Sequence, residues 1–380
     1  MRVAFNYTSA IYQRAGVGRY TRSLAAELDS ALSGEDDTFI LWYTSTTRAA
    51  LPMPNVGTSF RGSVRRIPLS PRAAAVAWQR MKVAIPIDRL IGTPNLVHEP
   101  DFVVPPVSAP TIATIHDLSY LIVPEFAHPN LKKYLESAVP RTLKRAEHVI
   151  AVSEVTRRDV IERYGVAPDQ VSTIYNGVDS WFYKPDQYTV DRALEHFGLR
   201  RPYFVIVGTV EPRKNHLALL SAFTALNQKR KDVSLVIVGS PGWLSEPIVA
   251  EIEKSAMSMP VRYLRFVDDT WIPALYAGSV ALVAPSWYEG FGLPVLEAMA
   301  CGAAVITSDR GSLPEVSGGH ALFAPPGDVE ALAACMARLL EDSELRSELI
   351  QQGLSHAAKF SWKVAAEAHV KLYREIADAR

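Results

Sequence analysis

The sequence predicts an α/β protein made of two doubly wound parallel sheets. Short apolar runs alternate with helix-like stretches along most of the chain, which is the pattern of parallel sheets covered by helices on both faces. The chain has 380 residues, more than one hydrophobic core usually supports. Hydrophobic residues make up 48% and charged residues 21%, which is typical of globular proteins. We therefore expect two globular domains, each with its own sheet.

The predicted strands are apolar runs rich in β-branched and aromatic residues, and helix-like segments such as 19–28 and 216–229 separate most of them. The first set comprises RVAFN (2–6), TFILWYT (38–44), NLVHE (95–99), TIATIHD (111–117), HVIAVS (148–153) and VSTIYN (171–176). The second set comprises YFVIVG (203–208), VSLVIVG (233–239), VRYLRFV (261–267), VALVAPS (280–286) and AAVITS (303–308). Each set predicts one sheet.

The regular alternation pauses at 179–202, where Pro185 and Pro202 flank a polar, helix-like piece. We interpret this segment as the linker, which predicts domains at 1–183 and 200–360. Ligands of open α/β sheets bind beyond the carboxyl ends of the strands, so functional residues are expected in strand-to-helix loops.

Composition and termini narrow the class of protein. Forty basic and forty acidic residues cancel, so no global charge favours nucleic-acid binding. The amino-terminal MRVAFNYTS has a strand pattern rather than a signal-peptide layout, and no apolar run approaches the roughly 20 residues that span a bilayer. Cys301 and Cys335 lie among small or apolar residues, which favours buried free thiols in a reducing compartment. A cytoplasmic location is predicted, and contact with one face of a membrane stays open.

Residues 286–302 carry the most specific motif, SWYEGFGLPVLEAMACG. It runs from a strand end into a helix with Pro294 in its first turn. The glycines let the backbone approach a ligand, and the free N–H groups of a helix start bind anions. Glu289 precedes this anion site, and Glu297 is expected in the first turn of the helix. Two acids beside a phosphate site are expected when the ligand also carries hydroxyl groups, as a nucleotide sugar does.

A second motif, GTVEPRKN, follows the first strand of the second set. Arg213 and Lys214 precede a helix that Asn215 or a neighbour caps, and cations at that place oppose the helix dipole unless an anion is bound. The pair is therefore expected to neutralise a diphosphate leaving group. The sequence has neither an Asp-x-Asp pair nor a His/Cys cluster with metal-ligand spacing, so we predict that these cations replace a metal.

Two polar features mark strand ends in the first domain. QRAGVGRYTRSL places Gly16 and Gly18 before a helix, but Thr21 stands where the third glycine of G-x-G-x-x-G is required, which disfavours an NAD-dependent dehydrogenase. TIATIHDLSY ends its strand at His116 and Asp117, and we expect this polar pair to face a cleft rather than the core.

These motifs together resemble glycosyltransferase family 4, whose members are retaining enzymes of the GT-B fold. The resemblance rests on the first glycine loop, IHDLSY, VSEVTRRDV, IYNGVD, GTVEPRKN and, most specifically, Glu-x7-Glu around Gly-Phe-Gly-Leu-Pro, and it covers essentially the whole chain. It implies two Rossmann-like domains that face a cleft, with the acceptor bound by 1–183 and the nucleotide sugar by 200–360. It also implies that a final helix, 362–380, capped by Ser361, crosses back to the first domain.

The resemblance assigns roles to individual residues. Glu289 would contact the donor sugar, and Glu297 would bind the ribose hydroxyls. Arg213 and Lys214 would hold the diphosphate, and His116 would lie against the transferred sugar. Catalysis is thus expected from Glu289, His116, Arg213 and Lys214, without a metal. The expected substrate-binding residues are Gly16, Gly18, Gly208, Thr209, Val267, Phe291, Gly292, Leu293 and Glu297.

Each assignment has a structural alternative. Glu297 is also a common stabilising acid of a helix start, His116 a satisfied strand-end histidine, and the glycines an ordinary turn. Asp268 and Asp269 are expected to cap a helix, without a catalytic role.

The segment from Arg61 to Arg89 is unusually basic, with Asp88 as its one acid. Trp78, Met81 and Ile85 are interleaved with the charges. One interpretation is a solvated helix face with core contacts, and the other is a docking patch for anionic lipid or a lipid-diphosphate acceptor. Its basic residues are Arg61, Arg65, Arg66, Arg72, Arg80, Lys82 and Arg89.

The sequence therefore predicts a retaining hexosyltransferase that uses a nucleoside diphosphate sugar and a saccharide or lipid-linked saccharide acceptor, and binds no nucleic acid. Similarity to mannosyl- and rhamnosyltransferases of surface polysaccharide assembly favours GDP-mannose as donor. The alternatives are a transferase using dTDP- or GDP-rhamnose, UDP-glucose or UDP-N-acetylglucosamine, a sugar-nucleotide epimerase of the same fold, and a non-catalytic nucleotide-sugar-binding scaffold.

Overall fold

The chain folds into two compact units, shown by a computed structural model that describes residues 1–13, 16–32, 34–47, 60–81 and 85–378. The first unit comprises Met1–Leu118, Asn130–Gly177 and Ser361–Arg380. The second comprises Ser119–Pro129 and Val178–Phe360. The segment that the sequence suggested as a linker, 179–202, therefore belongs to the second unit.

A seven-stranded parallel sheet forms the centre of the first unit, within its described residues. Its strands are β1 (Arg2–Asn6), β2 (Thr38–Thr44), β3 (Ser63–Ile67), β4 (Leu96–Glu99), β5 (Thr111–Ile115), β6 (His148–Ala151) and β7 (Val171–Thr173). The spatial order is β3-β2-β1-β4-β5-β6-β7. The order reverses between β1 and β4, which makes this the topological switch point where open α/β sheets bind ligands.

A six-stranded parallel sheet forms the centre of the second unit. Its strands are β8 (Tyr203–Val207), β9 (Ser234–Val238), β10 (Val261–Leu264), β11 (Ala281–Ala284), β12 (Ala304–Thr307) and β13 (Leu322–Phe323). The spatial order is β10-β9-β8-β11-β12-β13, so the switch point lies between β8 and β11. Phe204 in β8 and Leu235 in β9 are fully buried. Central strands of this sheet are covered on both faces, which explains their continuous apolar runs.

Helices cover both sheets. In chain order they are α1 (Thr8–Tyr12), α2 (Val17–Ala31), α3 (Pro71–Ala75), α4 (Ser119–Ile122), α5 (Pro129–Arg145), α6 (Glu154–Tyr164), α7 (Gln187–Phe197), α8 (His216–Lys229), α9 (Glu246–Ser258), α10 (Ile272–Gly278), α11 (Leu293–Ala300), α12 (Leu313–Ser317), α13 (Val329–Glu341), α14 (Ser343–Ala357) and α15 (Trp362–Asp378). A π-helical turn, Val76–Arg80, continues α3, and three short 3₁₀ turns occupy Pro124–Phe126, Pro168–Gln170 and Pro212–Lys214.

The final helix α15 belongs to the first unit and packs against α2. Its first turn is capped as predicted, because Ser361 Oγ accepts a hydrogen bond of 3.2 Å from the backbone N–H of Val364. Deeper in the interface, Tyr20 Oη donates to His369 Nε2 at 3.2 Å, since the other ring nitrogen of His369 donates to a backbone carbonyl. This buried pairing fixes α15 against α2.

Every predicted strand is present, although several end two or three residues earlier than predicted. Two strands were missed. β3 lies at the sheet edge and contains exposed Arg65 and half-buried Arg66, so it lacks the apolar pattern of a central strand. β13 has only two residues.

The basic segment is therefore not simply a helix face, because it includes strand β3 as well as helix α3. Trp78 packs near Trp42 with ring centroids 6.5 Å apart, whereas the Met81 and Ile85 side chains are 69% and 74% exposed. Lys82 and the side chain of Arg80 lie outside the described residues.

Both cysteines are free thiols, as predicted, but only Cys301 is fully buried, since Cys335 is half-buried. Within the described part of the chain, no helix is both long and apolar enough to cross a membrane.

Candidate active site

The loops that follow β8 and β11 meet at the switch point of the second sheet. Because these strands are parallel neighbours, their carboxyl ends lie side by side. The backbone N–H of Trp287 donates to the carbonyl of Arg213 at 2.9 Å and joins the two loops directly. The GTVEPRKN and SWYEGFG motifs, separate in sequence, thus form one site.

Glu289 is the centre of this site. Its side chain accepts hydrogen bonds from Arg213 Nη1 at 2.8 Å and from Lys214 Nζ at 2.6 Å. Ser286 Oγ donates to the same carboxylate at 2.7 Å. Burial by itself raises the pKa of Glu289, but the charges of Arg213 and Lys214 outweigh it and lower the pKa to about 2. Glu289 is therefore a carboxylate at any physiological pH.

Arg213 is held at both ends of its guanidinium. Nη1 also donates to the backbone carbonyl of Tyr288 at 2.6 Å, and Nη2 donates to Glu211 Oε1 at 2.8 Å. Glu211 is only 2% exposed, and burial raises its pKa while Arg213 opposes that shift. Sequence reasoning missed Glu211, although an acid two residues before the arginine was a visible signal.

The turn before α12 holds the Glu289 loop through hydrogen bonds and close backbone packing. Ser312 Oγ donates to the carbonyls of Glu289 at 3.0 Å and Phe291 at 2.9 Å. Gly311 adopts φ +58°, and a Cβ there would lie 2.5 Å from the carbonyl oxygen of Glu289. Gly292 also has a positive φ, +95°, and is the N-cap of α11, whose first residue is the half-buried Leu293. These contacts hold the loop in one conformation.

Asn215 does not cap α8 with its side chain. It occupies the N-cap position, but its Nδ2 donates to the carbonyls of Pro285 at 3.1 Å and Pro326 at 2.7 Å. Asn215 thus ties the β8 loop to the end of β11, a long-range role that a local capping pattern does not reveal.

Glu297 lies in the second turn of α11, not in the first turn as predicted, because the helix begins at Leu293. It is 3% exposed, and Tyr276 Oη donates to its Oε2 at 3.2 Å. A carboxylate so far along a helix gains little from the helix dipole, so the structural alternative of a helix-start acid does not explain it.

The other predicted residues of the second unit are spread over its strand ends. Gly208 directly follows β8 with φ +147°, and a Cβ there would lie 3.8 Å from Lys214 Cε. Thr209 beside it is half-buried. Phe291 is buried with its ring 6.4 Å from that of Phe360, and Val267, which follows β10, is also buried. The structure thus places Gly208 beside Lys214, which pairs with Glu289. The side chains of Phe291 and Val267 are instead buried in the packing of the second unit.

His116, Gly16 and Gly18 lie in the first unit. His116 Nε2 donates to the carbonyl of Pro100 at 2.7 Å, and its ring meets that of Tyr20 edge-on at 4.7 Å. Burial lowers the pKa of His116, against the opposing charge of Asp101. Gly16 is the N-cap of α2 with φ +53°, and Gly18 lies in the first turn of that helix.

The chemistry available at the second switch point is that of two cations held by two buried acids, Glu211 and Glu289. Such preorganised cations stabilise negative charge that develops on a phosphate. Within the described residues, no group of three or more His, Cys, Asp or Glu side chains is placed to hold a metal ion.

Comparison with protein families gives two matches that together span most of the chain. Residues 14–182 match the model described as Glycosyltransferase Family 4, and residues 189–356 match that of Glycosyl transferases group 1.

Two Escherichia coli proteins are among the similar sequences. O-antigen chain mannosyltransferase B is 29% identical over 384 residues, which cover 98% of this chain and 100% of that protein. Serotype-specific mannosyltransferase WbdA is 33% identical over 271 residues, covering 69% of this chain but only 33% of that longer protein.

Solved structures show the same fold. Sucrose-phosphate synthase from Thermosynechococcus elongatus has a TM-score of 0.75 at 21% identity and covers 100% of both chains. Anabaena Alr3699/HepE, in a complex with UDP-glucose, has a TM-score of 0.76 at 19% identity and covers 99% of this chain and 100% of that one. The predicted GT-B fold class is thereby confirmed.

Proposed function

Because this chain belongs to glycosyltransferase family 4, we propose that it transfers a mannosyl group, with retention of anomeric configuration, from GDP-mannose to a saccharide or lipid-linked saccharide acceptor. The observation that carries the proposal is the cluster in which Arg213 and Lys214 share Glu289 at the switch point of the second sheet. The mannosyltransferase names of the two E. coli relatives support the choice of sugar.

In the proposed mechanism, Arg213 and Lys214 bind the diphosphate and stabilise its departure from the sugar. The bond between the anomeric carbon and the phosphate oxygen breaks, and the acceptor oxygen bonds to that carbon on the same face. The acceptor proton passes to the departing phosphate oxygen. No side-chain nucleophile is required, and Glu289 orients the two cations and the sugar hydroxyls.

We assign the remaining roles as the family resemblance suggests. Glu297, held by Tyr276, binds the ribose hydroxyls, and the loop glycines Gly208 and Gly292 let the backbone approach the phosphates. The neutral imidazole ring of His116 supports the transferred sugar. The second unit, in this proposal, binds the nucleotide sugar, and the first unit binds the acceptor.

The test is nucleoside diphosphate release by purified full-length protein, without added metal, from GDP-mannose, UDP-glucose, UDP-N-acetylglucosamine and dTDP-rhamnose. The proposal expects GDP-mannose to be hydrolysed fastest, and Arg213→Ala to slow the release by at least about a hundredfold. Arg230→Ala is the matched control, because Arg230 forms an exposed pair with Asp232 in the same unit. Faster release from another donor would reject GDP-mannose, and binding of all donors without any turnover, also with acceptor, would favour the scaffold alternative.

We also propose that the basic segment 61–89 contacts anionic lipid. Among its described residues, Arg61, Arg65, Arg72 and Arg89 are exposed, Met81 and Ile85 are 69% and 74% exposed, and the following Leu90 is 59% exposed. The acid within this segment is engaged elsewhere, because Asp88 accepts hydrogen bonds from the backbone N–H groups of Ser108 and Ala109. Arginines next to exposed apolar side chains suit a membrane surface.

Co-sedimentation with vesicles checks this contact. Phosphatidylglycerol vesicles should retain the protein, and phosphatidylcholine vesicles should not. Replacing both Met81 and Ile85 with Ser should weaken retention, and equal binding to both vesicle types would contradict an electrostatic contact.

A further inference from the structure

A short segment from the first half of the chain belongs to the second unit. This segment, Ser119–Pro129, follows β5 and leads into α5, which are both elements of the first unit, yet it groups with Val178–Phe360. It contains helix α4 and the 3₁₀ turn Pro124–Phe126, and we call it the strap. The strap therefore brings residues of the first half of the chain into the unit that carries the candidate active site.

The 3₁₀ turn of the strap holds the backbone at Phe126. Pro124 opens the turn, where its fixed φ is suitable and its missing N–H is not needed. The backbone N–H of Phe126 donates to the carbonyl of Val123 at 3.1 Å. Ala127 is extended, with φ −86° and ψ 142°, and this ends the turn. The ring and the carbonyl of Phe126 both find partners that are distant in sequence.

Two tryptophans of the second unit hold Phe126. The indole N–H of Trp243 donates to the carbonyl of Phe126 at 3.0 Å. The ring of Trp287 stacks on the ring of Phe126, with centroids 5.4 Å apart and an angle of 30° between the planes. All three side chains are half-buried. Because a stacked ring and an indole hydrogen bond are both directional, these two contacts fix the position and the orientation of Phe126.

Trp287 lies in the loop after β11, between two residues that contact Arg213 or Glu289. Its neighbour Ser286 donates to the Glu289 carboxylate at 2.7 Å, and the carbonyl of its other neighbour, Tyr288, accepts from Arg213 Nη1 at 2.6 Å. The backbone N–H of Trp287 itself donates to the carbonyl of Arg213 at 2.9 Å. A shift of the Trp287 backbone would therefore disturb Arg213 and Glu289 together.

Trp243 lies in the loop after β9, which is also tied to the loop that carries Arg213. The backbone N–H of Gly242 donates to the carbonyl of Val210 at 2.9 Å, and the N–H of Val210 donates to the carbonyl of Ser240 at 3.0 Å. Both partners of Phe126 thus lead, through short hydrogen-bonded routes inside the second unit, to the loop after β8.

We propose that Phe126 is a positioning residue of the diphosphate site and acts on Arg213 and Glu289 through Trp287. The stacked ring holds Trp287, and the backbone around Trp287 holds Arg213, so the cation is oriented before the ligand arrives. Preorganised charges bind without a cost of rearrangement, and a misplacement of about 1 Å can cost about a hundredfold in rate. The inference rests on the proposed transferase function and deepens it, because it adds a residue that lies outside both motifs of the site.

Calorimetric titration of the full chain with GDP, UDP and dTDP tests this role on the nucleotide that the wild type binds most tightly. Phe126→Ala removes the stacked ring and should weaken this binding by about threefold to tenfold, whereas Phe126→Tyr keeps the ring and should bind as the wild type does. Trp243→Phe removes the hydrogen bond to the Phe126 carbonyl and should weaken binding by about twofold to fivefold, which provides a second variant if Phe126→Ala does not fold. His196→Ala is the matched control and should not change the affinity, since it breaks a stack with Trp271, at 5.0 Å, in the same unit.

A double-mutant cycle separates positioning from a general effect on the fold. If Phe126 acts through Arg213, Phe126→Ala should cost less than about twofold in affinity once Arg213→Ala is present. Equal affinity of the wild type, Phe126→Ala and Trp243→Phe would overturn the inference, and so would the same loss from Phe126→Ala with and without Arg213. Failure of the wild type to bind any of the three nucleotides would instead overturn the proposed transferase, and with it the diphosphate site that Phe126 is inferred to position.

Discussion

The two sheets reverse their strand order at equivalent places, yet their polar groups differ in charge. At the second switch point, Glu289 is paired with two cations, which lower its pKa to about 2. At the first, Glu99 and Asp101 have amide partners, and burial raises the pKa of both. The same topology thus presents two cations paired with an acid in one unit and two acids held by amide side chains in the other. The difference shows that the fold fixes the place of a site, whereas its ligand depends on a few side chains.

The largest effect on kcat is expected from removing one cation of the second switch point. Lys214→Ala removes a cation that contacts Glu289 at 2.6 Å. Loss of one preorganised charge at a leaving group should lower kcat by about a hundredfold to a thousandfold. Donor turnover should be followed with the release assay and compared with Lys254→Ala, whose exposed ammonium pairs with Glu251 in the same unit. A decrease of similar size in the control would show that the effect is not local.

A smaller effect is expected on stability, and it should differ between the switch points. Glu289→Gln leaves two largely buried cations without their carboxylate, so the free energy of unfolding should fall by about 3 kcal/mol at pH 7. Glu99→Gln leaves no lysine or arginine unpaired among the described residues and keeps an oxygen acceptor for Asn6, so it should change the free energy of unfolding by less than about 1 kcal/mol. Urea titration followed by circular dichroism measures both. Equal losses would contradict the difference in charge state.

The pH dependence of stability sharpens the same comparison. The folded pKa of Glu289 is lowered from 4.5 to about 2, so its stabilisation is present above 4.5 and is lost as the pH falls towards 2. The folded pKa of Glu99 is raised well above 4.5, so its contribution is present below 4.5 and is lost as the pH rises through the folded value. Differences between wild type and each Gln variant, measured across pH, should therefore change in opposite directions.

Glu211 should affect rate more than donor binding. It accepts from Arg213 Nη2 at 2.8 Å and acts as a positioning residue. Glu211→Gln keeps an oxygen acceptor but removes the charge, so kcat should fall by about tenfold with little change in KM. Glu211→Ala should lower kcat further, because it also removes the oxygen acceptor. Steady-state kinetics of donor turnover measure kcat and KM for both variants. A change confined to KM would contradict the positioning role.

The smallest expected effect concerns Tyr276, which donates to Glu297 at 3.2 Å. Tyr276→Phe removes one hydrogen bond while keeping the ring, and it should raise the donor KM by about threefold to tenfold. Steady-state kinetics of donor turnover measure this KM. An unchanged donor KM would contradict a role of Glu297 in binding the donor.

Much of the fold followed from the sequence because central parallel strands are buried on both faces and form continuous apolar runs. β3 was missed because an edge strand tolerates arginines, as Arg65 and Arg66 show. Segment 179–202 resembled a linker because α7 is largely polar on its solvent face, yet this helix packs against α10.

The candidate site was predicted only in part. Arg213, Lys214 and Glu289 were identified by their motifs, but their direct pairing was not, because it joins loops 75 or more residues apart. Glu211, Ser312 and Asn215 act through long-range hydrogen bonds that a local pattern does not encode. Glu99 and Asp101 were overlooked because single acids at strand ends carry no motif, and only the spatial order of strands brings them beside Asn6 and His116.

The most direct test is a calorimetric titration of GDP against wild type, Arg213→Ala and Asp101→Ala. The account predicts that Asp101→Ala binds GDP as the wild type does, and that Arg213→Ala binds it at least about tenfold more weakly, because a charged contact to phosphate is lost. Equal weakening by both substitutions, or weakening by Asp101→Ala alone, would contradict the assignment of the phosphate to the second switch point.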